Sequence, residues 1–137
     1  MSLQSVAMDA PIKKLVSQSL DHAAFTDGNA AAGYIAFTTG QIPAYSLVLG
    51  WKAVISEAFT CSSTCTMTVG DTGNKDAWTV GDPSCAALGT VGAPADADLD
   101  CFTVEAVTPY VEVTEDSDWG DVTAGTMVVT IYYLECI

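Results

Sequence analysis

Met127, Val129, Ile131 and Tyr133 fall on one face of the last apolar stretch of the chain, with Thr126, Thr130 and Tyr132 on the other. Side chains in a strand alternate with a period of two, so the pattern predicts a strand with one dry face and one wetter face. The same alternation sets Leu47, Leu49, Trp51, Ala53 and Ile55 against Gly50, Lys52 and Ser56. It also sets Cys65, Met67 and Val69 against Thr66 and Thr68. The stretch from Leu47 to Phe59 is long enough to bend or carry a bulge, and Gly50 is the candidate position for one. Further strands are predicted at Ile12 to Leu20, Tyr34 to Thr38, Ala77 to Val80, Cys101 to Val107 and Tyr110 to Thr114. In the last two the inward face switches from Phe102, Val104 and Ala106 to Val111 and Val113, across Thr108-Pro109.

The connections carry turn chemistry. Asp21 to Gly33 reads as a short helical turn limited by Gly28 and Gly33. Gly40-Gln41-Ile42-Pro43-Ala44 is a turn, and Gly70 to Asp76 is a polar loop at one tip. Gly81 to Asp100, rich in Gly, Ala, Pro and Asp, reads as a long connection, the kind of segment that carries contacts with a partner. Glu115 to Gly125 is an acidic loop. About eight short strands without a long helix predict an all-β fold, an antiparallel β-sandwich of jelly-roll type, with a closed barrel as the alternative. The expected organisation is an N-terminal arm over 1–11 and one sandwich domain over 12–137.

Composition narrows the function classes. Half of the 137 residues are hydrophobic, which excludes a disordered chain. No apolar run approaches the ~18 residues that span a membrane. Met1 to Pro11 has neither a basic start nor an apolar core, so the expectation is synthesis in a cytosol rather than export. The formal net charge is −13, and Lys13, Lys14, Lys52 and Lys75 are the fixed cations. Such a surface repels phosphate backbones, which argues against nucleic-acid binding, and it favours partners that are neutral or basic where they meet it.

Catalytic chemistry is sparse. His22 is the single histidine. It stands with Ser19 and Asp21, but triads are assembled by the fold and not by sequence neighbours. Nothing marks a carboxylate pair for glycoside hydrolysis, so the expectation is no enzyme and no cofactor. Asp96, Asp98 and Asp100 place carboxylates at alternate positions, as a calcium loop would, yet without the glycine and distal glutamate of an EF-hand. The five cysteines, Cys61, Cys65, Cys85, Cys101 and Cys136, lack paired zinc spacing and read as reduced, buried small hydrophobes. Cys61 and Cys65 could meet only if Ser62-Ser63-Thr64 turns. Trp119 sits in the acidic loop beside Asp116 and Asp118, where an indole is either a plug over the sandwich end or an anchor at an interface. Trp119, Asp116, Asp118, Asp96, Asp98 and Asp100 are therefore the candidate partner-binding residues. A carbohydrate-binding module or fibre tip using such loop aromatics is the alternative.

Several stretches carry a resemblance. They are Thr39-Gly40-Gln41-Ile42-Pro43-Ala44 before Leu47-Val48-Leu49, then Val54 to Phe59, then Thr68-Val69-Gly70-Asp71-Thr72-Gly73, and finally Thr123-Ala124-Gly125 before Val128 to Leu134. From Gly33 to Leu134 the chain resembles the small β-rich virion proteins of tailed bacteriophages, among them capsid decoration (cement) proteins. The resemblance implies a non-enzymatic virion protein, made in the host cytoplasm, that forms a homo-oligomer, typically a trimer. Its implied partner is the phage major capsid protein. Gly81 to Asp100 and the cysteines lie outside the resembling pattern.

Overall fold

A computed structural model of the chain describes residues 11–28, 30–94 and 101–136. Ten strands run through them: β1 (Lys13–Val16), β2 (Leu20–Asp21), β3 (Thr26–Asp27), β4 (Ala32–Ala36), β5 (Ser46–Glu57), β6 (Cys65–Gly70), β7 (Gly89–Pro94), β8 (Phe102–Thr103), β9 (Tyr110–Glu115) and β10 (Thr126–Glu135). One sheet has the order β1-β10-β5-β7, with β2 also paired to β10 and β8 to β5. The other has the order β3-β4-β9-β6. Every pairing within them is antiparallel. The expected antiparallel sandwich is present, with ten described strands in place of about eight. The strand order does not by itself establish a jelly roll.

Between the sheets lies one hydrophobic cluster. Met127, Val129 and Ile131 of β10 and Trp51, Ala53 and Ile55 of β5 enter it from the first sheet. Met67 and Val69 of β6 and Val111 and Val113 of β9 enter it from the second. These are the inward positions that the alternation predicts.

The alternation fails at the start of β5. Tyr132 pairs with Gly50, but Tyr133 pairs with Val48, so Leu49 is an extra residue opposite no partner. That bulge shifts the period-two pattern by one, as an inserted residue must. Downstream of it Trp51, Ala53 and Ile55 point inward as expected. Upstream, Val48 is buried and Leu47 and Leu49 are only half-buried, Leu47 still packing against the core, which corrects their predicted place as the fully inward residues. Gly50 sits at the irregularity, where its sequence suggests a break.

Four other segments depart from expectation. The strand predicted at Cys101 to Val107 shrinks to Phe102–Thr103, and its faces invert: Cys101 and Thr103 are buried while Phe102 and Val104 are exposed. The Thr103 hydroxyl explains the choice. It donates to Pro43 O at 2.9 Å and accepts from Ser46 N at 3.2 Å, so this corner needs a polar atom inside. Ala77 to Val80 is not a strand but the exit of a turn, with Trp78 fully buried. Gly81 to Asp100 is not one long connection, because β7 pairs with β5 from Gly50 to Ile55. A side chain at Gly92 would press on the Trp51 carbonyl at 2.7 Å, so the small residues that read as loop are what lets this strand approach. In the N-terminal region β1 ends at Val16, where Ser17 tucks in and its hydroxyl accepts from Val129 N at 2.9 Å. The helical turn predicted over Asp21 to Gly33 is a single 3-10 turn at His22–Ala24.

One hydroxyl ties the two sheets together. Thr79 Oγ1 accepts from Trp51 Nε1 at 3.1 Å and from Val69 N at 2.7 Å, and donates to Val69 O at 3.1 Å. Thr79→Val keeps the shape and orphans two donors. It is expected to cost about 1–3 kcal/mol, read as a lower urea midpoint with an unchanged slope.

Candidate protein interface

Trp119 opens a 3-10 turn, Trp119–Asp121, that Asp118 caps by accepting from Gly120 N at 2.8 Å. Its indole stacks on Phe25 with centroids 5.2 Å apart, and Phe25 in turn meets Phe59 edge-on at 5.8 Å. Gly33 leaves the room the ring occupies, since any side chain there would collide with it. At 6% exposure the ring is in the core cluster and closes this end of the sandwich. Asp116 and Asp118 are exposed, and Asp116 accepts from Ser63 N at 3.1 Å and Thr64 N at 3.4 Å. Asp96, Asp98 and Asp100, and with them the calcium expectation, lie outside the described residues. Among the described residues no group of three His, Cys, Asp or Glu side chains could hold a metal ion. His22 Nδ1 lies 3.2 Å from Asp21 Oδ1, which also accepts from Ala23 N, so the pair belongs to the turn.

The most connected polar group is one the sequence reading passed over. Glu115 continues the inward series Val111, Val113 and is 1% exposed. Oε1 accepts from Ser62 N at 2.8 Å and Ser62 Oγ at 2.6 Å. Oε2 accepts from Ser117 N at 2.6 Å, Ser117 Oγ at 3.1 Å and Asp118 N at 2.9 Å. The Ser62 hydroxyl first, then the Ser62 and Ser117 amides, hold this carboxyl far below its ordinary range, against the opposing pull of burial. An acid on the dry parity of a strand, followed two residues later by serine, was the available signal. Ser62 is placed by the Cys61–Cys65 disulfide, whose Cα atoms lie 5.7 Å apart across a bend at Ser62 and Ser63. This corrects the expectation that all five thiols are reduced. Cys85, Cys101 and Cys136 stand outside that disulfide as thiols, and burial pushes the Cys85 thiol up to about 12.

The two outer faces of the sandwich differ in chemistry. On the β3-β4-β9-β6 sheet, Thr66, Thr68, Glu112 and Thr114 face outward, and Lys75 Nζ lies over Tyr34 at 4.8 Å and Tyr110 at 5.7 Å. On the larger sheet, register places Lys14, Val16, Lys52, Val54, Val128, Thr130 and Tyr132 outward, with Leu47 and Leu49 above the bulge. Two of the chain's four lysines are among those positions, while the carboxylates Asp21 and Glu57 flank Thr126 at the far end of the same sheet. Within this face a cleft of about 440 Å³ is lined by Ile12, Leu49, Gly50, Gly92, Ala93 and Tyr132, together with Trp51. The bulge and the two glycines create it. The sequence contained every residue of this surface, but without the bulge the parity of Leu47 and Leu49 points the wrong way.

No protein-family model and no curated protein matches the chain. Solved structures match it in fold. A chain of the cyanophage Pam1 capsid asymmetric unit aligns with a TM-score of 0.59 and 17% identity, over 91% of this chain and 85% of its own. The fold is one that phage capsids use. A chain of the acidic stable capsid structure of Helicobacter pylori bacteriophage KHP30 aligns with a TM-score of 0.50 and 14% identity, over 90% and 93%. A chain of the capsid of Ralstonia phage GP4 gives 0.50 and 14%, over 82% and 88%. The resemblance to phage virion proteins is met at the level of fold, across nearly the whole of each chain.

Two outcomes follow from these geometries. Glu115 has a folded pKa well below its ordinary 4.5, so its contribution is complete above that value and is lost as pH falls below it. Glu115→Gln is therefore expected to lower the melting temperature at neutral pH, and its gap to wild type should close progressively below pH 4.5. A gap independent of pH would show that Glu115 is not held ionised. Trp119→Ala is expected to cost about 3–5 kcal/mol in denaturant unfolding, as a fully buried aromatic does, and to expose Phe25.

Proposed function

We propose that the chain is a non-enzymatic structural protein of a phage virion, specifically a capsid decoration (cement) protein. It binds the outer surface of the head as an oligomer, a trimer, and stabilises the shell by bridging neighbouring copies of the major capsid protein. The observation that carries this reading is the shared fold over 91% of the chain with a chain of the Pam1 capsid asymmetric unit. The chemistry of the molecule supports it. Two sheets locked by a common core make a rigid body, and rigid bodies bind with little ordering cost. Many modest contacts repeated over a shell sum through multivalency. The net charge of −13 keeps free subunits apart in the host cytoplasm, where the protein is made, and away from packaged nucleic acid. Sugar recognition through loop tryptophans gains no support, since Trp51, Trp78 and Trp119 are all buried.

The test uses heads of the phage that encodes the chain, assembled without it. Purified protein added back is expected to sediment with the heads at a fixed ratio to the shell protein, and to raise the temperature at which the heads rupture. Protein that stays in the supernatant at micromolar concentration, or that sediments without changing rupture, would overturn the decoration role.

A further inference from the structure

The face of the larger sheet is chemically an exception in this molecule, and its details restrict what can cover it. Ile12 is 62% exposed beside the cleft, and Val16 and Val54 stand out from the same face. Lys14 is the register partner of Tyr132, and Lys52 that of Gly92. The two lysines therefore stand at register positions beside an apolar cleft whose lining includes both partners. A fitting occupant carries an apolar side chain for the cleft and a carboxylate for its rim.

The chain presents such a group itself. After β8 the backbone bends at Val104 and Glu105, with Val104 65% exposed. Glu105 is exposed next to it, and among the described residues its side chain has no hydrogen bond or ion pair. Val104 and Glu105 form a small apolar and acidic knob. The geometry points to a second copy of this chain as the occupant, with the Val104–Glu105 knob of one copy seated in the cleft beside Lys14 and Lys52 of the next.

Charge decides the symmetry of that contact. A two-fold pairing of the cleft with itself would bring Lys14 and Lys52 of both copies together around it, with Asp21 and Glu57 away at the Thr126 end of the sheet, which is repulsive and offsets the apolar gain. Cleft and knob are different surfaces, so the contact is head-to-tail. Head-to-tail contacts generate rings where the rotation closes. This gives the oligomer of the proposed function a specific interface, but it depends only on the isolated chain assembling and not on what the assembly decorates.

The test is a charge swap read by light scattering, with circular dichroism melts to confirm that each surface variant folds. Wild type is expected to be larger than a monomer. Lys14→Glu with Lys52→Glu, and separately Glu105→Lys, are each expected to raise the concentration needed for assembly by about tenfold or more. Combining all three substitutions in one chain re-pairs the charges and is expected to restore assembly. A monomeric wild type overturns the proposal. So does an oligomer indifferent to the single sets, or a triple variant no better assembled than they are. A monomeric wild type whose head binding is lost on Lys14→Glu with Lys52→Glu would assign the cleft to the shell protein instead, leaving the decoration role intact.

Discussion

The pairing of β5 with β10 is the constraint on which the rest of the structure hangs. These two strands meet along nearly their whole lengths, from Thr126 opposite Glu57 to Glu135 opposite Ser46. All the other strands of their sheet attach to one of them: β1 and β2 to β10, β7 and β8 to β5. A slip of one residue in β5 would turn Lys52 and Val54 toward the core and Trp51, Ala53 and Ile55 toward water. Burying an unpaired ammonium and exposing three apolar side chains both cost free energy, so the register is strongly specified. The bulge at Leu49 is allowed within that register because it lies beyond Trp51, where Val48 can take over the inward position. Its consequence is a shift in parity that leaves Leu47 and Leu49 half-buried and opens the apolar cleft beside Leu49.

Hydrophobic burial is non-directional, and two apolar sheet faces could stack in more than one way. The polar groups at the margins remove that freedom. Thr79 holds β6 to the indole of β5, so the sheets are pinned by three directed hydrogen bonds at one point. At another, Glu115 takes the last inward position of β9 and gathers the amides of two loops. A carboxylate there would be costly if left alone. Surrounded by five donors it becomes specific, because no other docking of the Ser62 and Ser117 segments satisfies both oxygens. The disulfide and the Glu115 cluster act on the same short segment, one covalently and one through hydrogen bonds. Trp119 then closes the space beneath.

Period-two alternation made the sandwich legible in the sequence, and it placed Met127, Val129, Ile131, Met67, Val69, Val111 and Val113 correctly because those strands are regular. It failed where a strand is irregular or both parities look alike. Leu47 and Leu49 were misplaced by one inserted residue. Phe102 and Val104 are more apolar than Cys101 and Thr103, yet the corner near Pro43 needed the threonine hydroxyl. β7 was invisible because Gly89, Gly92 and Ala93 have poor strand propensity, and their smallness, which serves close approach, reads as loop. The candidate interface was less legible still. The aspartates and Trp119 drew attention by type, whereas the cleft depends on a bulge, and the buried Glu115 on contacts between loops that are 53 residues apart.

The charge distribution carries more information than the net charge. A value of −13 suggests only solubility, and a uniformly acidic sandwich would resist every acidic neighbour, including its own copies. Around the cleft, the outward positions Lys14, Val16, Lys52, Val54, Val128, Thr130 and Tyr132 break that uniformity, and the carboxylates Asp21 and Glu57 stand at the far end of the sheet beside Thr126. Two lysines set among valines, a tyrosine and a glycine-lined cleft then form a surface on which acid elsewhere in the molecule becomes attractive. In the head-to-tail contact proposed above, repulsion over most of the surface and attraction at one face together select orientation, because the pose that covers the apolar cleft is the one that opposes unlike charges. On that proposal, the acidic residues that repel copies elsewhere on the surface also help to choose the assembling pose.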